Sequence, residues 1–213
     1  MGLADVDLDR HIACDIGVAG LGAHLAAALD ACFIAQVYSR LVIDCNRAPG
    51  AEDSIAQVSD GSWIAGNAGL SETERCARID EIYRPYHDRI GLELDARHAQ
   101  GAPTILVALH SFTPTLQGVP RPWLFGVLHR GDSRFSASML SVMSRALGAK
   151  VGDNRPYAMD GTDNTVPLHA TARDIDYLEL EVRQDLIADE AGQRTVCDQL
   201  AAFLAEALAS PTA

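Results

Sequence analysis

The chain has 213 residues, 48% of them hydrophobic and 22% charged, a length and balance that support a folded domain and exclude a mainly disordered chain. Lys and Arg total 17 against 29 Asp and Glu, a net charge of −12, which argues against a nucleic-acid partner bound through phosphates. No apolar run reaches the roughly 18 residues of a spanning helix, and the acidic start lacks the basic and apolar regions of a secretory signal, so the expectation is a cytoplasmic protein with no membrane partner.

Ile12, Ile16, Ala19, Leu21, Leu25 and Leu29 recur at helical spacing and predict a helix over 10–30. CFIAQVY (32–38) and RLVIDC (40–45) read as two short strands, and the following segment, with Pro49, Gly50, Gly61, Gly66 and Gly69, as a long loop. Ser71 and Glu74 form a capping-box pattern before a long helix carrying Ile79, Ile82, Tyr83, Tyr86, Ile90 and Leu94, which Pro85 should kink or break and which ends near Gly101. TILVALH (104–110) and WLFGVLH (123–129) read as strands, Ser133 to Leu147 as a helix, IDYLELEV (175–182) as the last strand, and Asp189 to Leu208 as the final helix. This alternation predicts one α/β domain over 1–213, three-layered, with a central mixed sheet flanked by helices.

Five cysteines at 14, 32, 45, 76 and 197 form no C-x-x-C pair, and most read as buried, reduced thiols; Cys45, in an apolar run, reads as packing rather than as a nucleophile.

In an α/β sheet, ligand sites gather where strands end. Four such places carry polar residues: Asp44, Asn46 and Arg47; His110 and Ser111; Asn154 and Tyr157; and the alternating Glu179, Glu181, Arg183 and Asp185. The alternation puts the four charges on one strand face, which reads either as a solvated edge or as a functional site with buried carboxylates. His110 can be a metal ligand, a general base or a satisfied core group. No H-E-x-x-H, G-x-S-x-G, G-x-G-x-x-G or Walker sequence is present.

RHIACDIG (10–17), YSRLVIDCNRAP (38–49), LVALHSFTP (106–114), GVLHR (126–130), VGDNRPY (151–157), TVPLH (165–169) and LELEVRQDLI (178–187), in this order, closely resemble the N-formylglutamate amidohydrolase family. The resemblance implies a phosphorylase/hydrolase-like α/β fold related to zinc carboxypeptidases and aspartoacylases. It also implies hydrolysis of a small acidic N-acyl amino acid, typified by N-formyl-L-glutamate plus water giving formate and L-glutamate. A single zinc ion is the implied cofactor, with His110 as a ligand and Glu181 as the general base. Asn46 and Arg47 match the pair that holds a substrate carboxylate, and Tyr157 and His169 complete the expected substrate-binding residues. His169 reads either as a surface-loop histidine or as a zinc-shell or oxyanion-stabilising group.

The family opens with a strand and a Cys-Glu-His type motif that supplies metal-binding residues, whereas this chain begins MGLADVDLD. His11 is the candidate substitute ligand. The departure points either to a misplaced start or to a truncated relative that binds a small carboxylate or a protein partner without catalysis.

Overall fold

Leu178, Leu180 and Val182 alternate with Glu179 and Glu181 along the strand Asp176–Arg183, and this strand lies inside a sheet, not at its edge. It pairs in parallel with Ile105–Phe112 on one side and antiparallel with Phe125–Leu128 on the other, and Val151–Asp153 pairs in parallel with Phe125–Leu128. The result is the expected α/β architecture, a central mixed sheet of four strands flanked by helices. The solvated-edge reading is thereby overturned: Glu179 is 2% and Glu181 6% exposed.

The computed structural model describes residue 2 and residues 8–209. They fall into two compact units. One is formed from Met1–Cys14, Ile34–Thr104 and Gly161–His169, the other from Asp15–Phe33, Ile105–Asp160 and Ala170–Ala213.

The second unit holds the four-stranded sheet. Leu178, Leu180 and Val182 share their core with Leu21 and Leu25 of the helix Val18–Leu29, Met139 and Met143 of Arg134–Leu147, and Val196, Leu200 and Leu204 of Glu190–Ala209. Each such buried side chain contributes roughly 1.5–3 kcal/mol of transfer free energy. The helix predicted over 10–30 begins at Val18, because Gly17 takes a left-handed conformation (φ 79°), and a Cβ there would lie 2.1 Å from the Ile187 carbonyl oxygen. Residues 9–15 consequently run as turns.

The two predicted strands at 32–38 and 40–45, which from Ile34 onward belong to the first unit, do not form. Their apolar content misled because the backbone finds other partners. Val42 N–H closes a turn onto Ser39 O, Asp44 N–H donates to Ser54 O, and the side chains of Asn67 and Arg78 donate to the carbonyls of Leu41 and Val42. The capping box is present, with Ser71 and Glu74 each bonded to the other's backbone N–H. The helix Glu72–Arg78 passes through a π turn, Ile79–Tyr83, and resumes as Arg84–Ala99 with Pro85 in its first turn. Arg84 N–H reaches back to Ile79 O, so Pro85 shifts the register without ending the helix. A Schellman arrangement then stops it, with Gly101 (φ 65°) N–H on His98 O and Ala102 N–H on Arg97 O. Cys45 and Cys197 are buried, as expected, but Cys14, Cys32 and Cys76 are exposed, against expectation, because each lies in a turn, an extended segment or on an outward helix face.

Candidate active site

The parallel register between Ile105–Phe112 and Asp176–Arg183 sets His110 beside Glu181, and Ala108 beside Glu179, on the sheet face opposite the Leu178–Leu180–Val182 core. His110 Nδ1 lies 2.8 Å from Asp15 Oδ2. The turn ahead of Gly17 carries Asp15 there, and Ser111 Oγ fastens that turn by donating to Ile16 O at 2.9 Å. Burial is the largest influence on His110 and lowers its pKa. The Asp15 hydrogen bond and the charges of Asp15, Glu181 and Glu179 together outweigh it, leaving the imidazole raised to about 10. His110 is therefore cationic near neutrality, with a carboxylate fixing its orientation.

On its other side, Glu181 is in register with Gly126. A Cβ at Gly126 would lie 2.0 Å from Arg155 O and 3.3 Å from Glu181 Cβ, so glycine opens a notch that the Arg155 peptide fills. Two residues further on, Tyr157 Oη accepts a 3.0 Å hydrogen bond from Arg121 Nη1. Arg183 does not pair with Glu181; its guanidinium binds Asp185 through Nε and Nη2. Asn154, with a left-handed backbone (φ 49°), uses Oδ1 to accept the His129 N–H, which is a turn-holding task.

The other predicted residues belong to the first unit. Asn46 Oδ1 accepts the backbone N–H groups of Asn164 and Thr165, at 3.2 and 2.9 Å, at the start of the short helix Thr165–His169. Arg47 Nε donates to Asp53 at 2.6 Å and Nη1 to Asn46 O at 2.9 Å, while Asp44 accepts from Arg40 and from Asn46 N–H. His169 is not a surface-loop residue: it ends that helix, is 4% exposed, and stacks on His87 of Arg84–Ala99. Burial, partly offset by the bond to Cys45 O and by Asp88, holds His87 below the ordinary histidine range. Cys45 is a packing residue, its thiol pushed up to about 11 chiefly by burial.

Glu181 and His110 thus stand as neighbours in one unit with Tyr157, and Asn46, Arg47 and His169 belong to the other. Sequence reasoning missed Asp15, His87 and Arg121. Asp15 stands in RHIACDIG, but its role depends on a turn that helical periodicity had absorbed. His87 lies in a helix whose apolar stripe is the stronger pattern in the sequence.

The chemistry of these donors tests the expected zinc ion. Nδ1 of His110 facing Asp15 leaves Nε2 as the atom to present, the orientation in which a carboxylate supports a metal-binding imidazole. Among the described residues, however, no group of three or more His, Cys, Asp or Glu is arranged to hold a metal, and His11 instead faces Asp60 at 3.5 Å. The described residues therefore do not fit a catalytic zinc, which needs three protein ligands. Residues 1–9, the place of the expected Cys-Glu-His type motif, lie largely outside the described residues.

The sequence model of the N-formylglutamate amidohydrolase family matches residues 2–188. No curated protein matches the chain. Among solved structures, gene product Atu2144 from Agrobacterium tumefaciens is 36% identical, with a TM-score of 0.93 over 97% of this chain and 82% of that one. N-formylglutamate amidohydrolase from Ralstonia eutropha JMP134 shares the fold at 18% identity, with a TM-score of 0.61 over 95% of this chain and 84% of that one.

Proposed function

The chain belongs to the N-formylglutamate amidohydrolase family, and from that premise we propose that it hydrolyses the amide of a small N-acylated acidic amino acid, N-formyl-L-glutamate or a close analogue. The observation that carries this reading is a buried carboxylate, Glu181, in register with an imidazole, His110, that Asp15 orients. Glu181 takes a proton from the water whose oxygen attacks the acyl carbon, and that proton passes to the nitrogen as the C–N bond breaks, releasing formate and L-glutamate from N-formyl-L-glutamate. The cationic His110 faces the negative charge that develops on the carbonyl oxygen. A positioned acid–base group of this kind is worth about 10² to 10⁴ in rate. No step above runs through the zinc that the resemblance implies, for which the described residues supply no group of three ligands.

The test is formate release from N-formyl-L-glutamate by the wild type and Glu181→Gln, with and without added zinc. A fall in kcat of about 10² to 10⁴ is expected, and full activity in the variant rejects the mechanism. A second reading, a non-catalytic family member that binds a small carboxylate, is favoured by the lack, among the described residues, of three His, Cys, Asp or Glu grouped to hold a metal. Binding of N-formyl-L-glutamate without turnover under either condition would select it. Among the described residues no helix is long and apolar enough to cross a membrane; a cytoplasmic location is part of the proposal.

A further inference from the structure

Arg121 is 8% exposed, yet among the described residues no Asp or Glu pairs with it. Other arginines of the chain do have such partners: Arg47 has Asp53, Arg183 has Asp185 and Arg97 has Glu93. Among the described residues, the hydrogen bonds of the Arg121 side chain run from Nη1, to Tyr157 Oη at 3.0 Å and to Thr113 Oγ1 at 3.3 Å. The guanidinium carbon lies 4.7 Å from the Tyr157 ring centroid and 5.9 Å from that of Phe112. A buried cation without a counter-ion is costly, and aromatic faces and hydroxyls offset only part of that cost. The Nε and Nη2 edge, the edge that binds a carboxylate in two-pronged fashion, has no hydrogen bond within the described residues.

The guanidinium is also held in place before any ligand arrives. Pro120 and Pro122 flank Arg121 and restrict its backbone, and Arg121 N–H donates to Pro114 O at 2.8 Å. Tyr157, whose ring lies against the guanidinium, is 41% exposed, so that side of the Arg121 environment reaches the surface. Both residues are tied to the strand end that carries Glu181. Arg183, two positions after Glu181, donates to the carbonyls of Arg121 and Trp123, at 3.5 and 3.4 Å. Tyr157 follows the Arg155 peptide that fills the notch at Gly126, beside Glu181. With a net charge of −12 the chain repels acidic ligands at long range, so their capture requires a fixed cation at short range.

We propose that Arg121, with Tyr157 folded against it, is a carboxylate subsite that receives an acidic group of the substrate and sets the preference for an acidic amino acid. The identity of the ligand rests on the amidohydrolase reading above; the anion site itself does not. Titration calorimetry with L-glutamate and L-glutamine on the full chain tests it, comparing the wild type with Arg121→Met and Arg121→Lys. The wild type should bind L-glutamate at least tenfold tighter than L-glutamine. Arg121→Met should reduce that preference to within twofold, and Arg121→Lys, which keeps the charge but loses the fork, should lose at least threefold of it. An unchanged preference in either variant overturns the proposal, and so does a wild type that does not discriminate. If Arg121→Met fails to fold, Arg121→Lys alone decides. Arg121-dependent glutamate binding without turnover of N-formyl-L-glutamate would end the amidohydrolase reading and leave the subsite standing; turnover with an unchanged preference in the variants would do the reverse.

Discussion

His87 Nδ1 and His169 Nε2 lie 2.9 Å apart, their rings 17° from parallel, while His87 Nε2 lies 2.9 Å from Cys45 O. A carbonyl only accepts, so His87 Nε2 carries a proton and its Nδ1 is the acceptor, with His169 donating from Nε2. Nitrogen-15 correlation spectra should show both rings protonated at Nε2. His87 lies below the ordinary range, so the unfolded chain binds the proton first and stability falls as pH drops through about 6.5, by at most about 1.4 kcal/mol per unit for this group. In His87→Gln that part of the slope should vanish; a slope equal to the wild type's would remove His87 as its source.

The Asp15–His110 pair has the opposite sign. His110 is raised to about 10, with burial opposing and the Asp15 bond and neighbouring carboxylates prevailing. Its charged form therefore stabilises the fold fully below about pH 6.5, and that contribution is lost as pH rises through about 10. Asp15→Asn should bring the His110 titration, followed by proton NMR of its ring, down by more than one unit. No change would show that Asp15 does not hold the charge.

Glu179 and Glu181 share a strand face, but only Glu181 stands beside His110; Glu179 lies between Ala108 and Leu128. Glu181→Gln should lower kcat by about 10² to 10⁴, whereas Glu179→Gln should lower it less than about tenfold. Steady-state kinetics on both variants would expose equal losses, which contradict the division of roles.

Arg47 has its Nε on Asp53 and Nη1 on Asn46 O. Arg47→Lys replaces the fork with a point charge and should raise KM for N-formyl-L-glutamate about tenfold or more with kcat nearly kept. A KM equal to the wild type's would leave Arg47 only a structural partner of Asp53.

Sequence periodicity alone determined the sheet strands Ile105–Phe112, Phe125–Leu128 and Asp176–Arg183 and the helices Arg134–Leu147 and Glu190–Ala209, because their side-chain patterns match the face each buries. The capping box and Gly101 were equally legible, since caps are local chemistry. The order of motifs also carried the family. What only the tertiary structure decided was non-local. Residues 32–45 carry strand-like composition, yet side chains from Asn67 and Arg78 take up their carbonyls, so no ladder forms. The charges on Glu179 and Glu181 looked like an edge because alternation says nothing about which neighbours a strand acquires. Asp15 reaches His110 across 95 positions, and His87 meets His169 across 82. Arg121 is distinctive through its burial with no carboxylate partner among the described residues, and such a relation exists in space and leaves no local pattern in the chain.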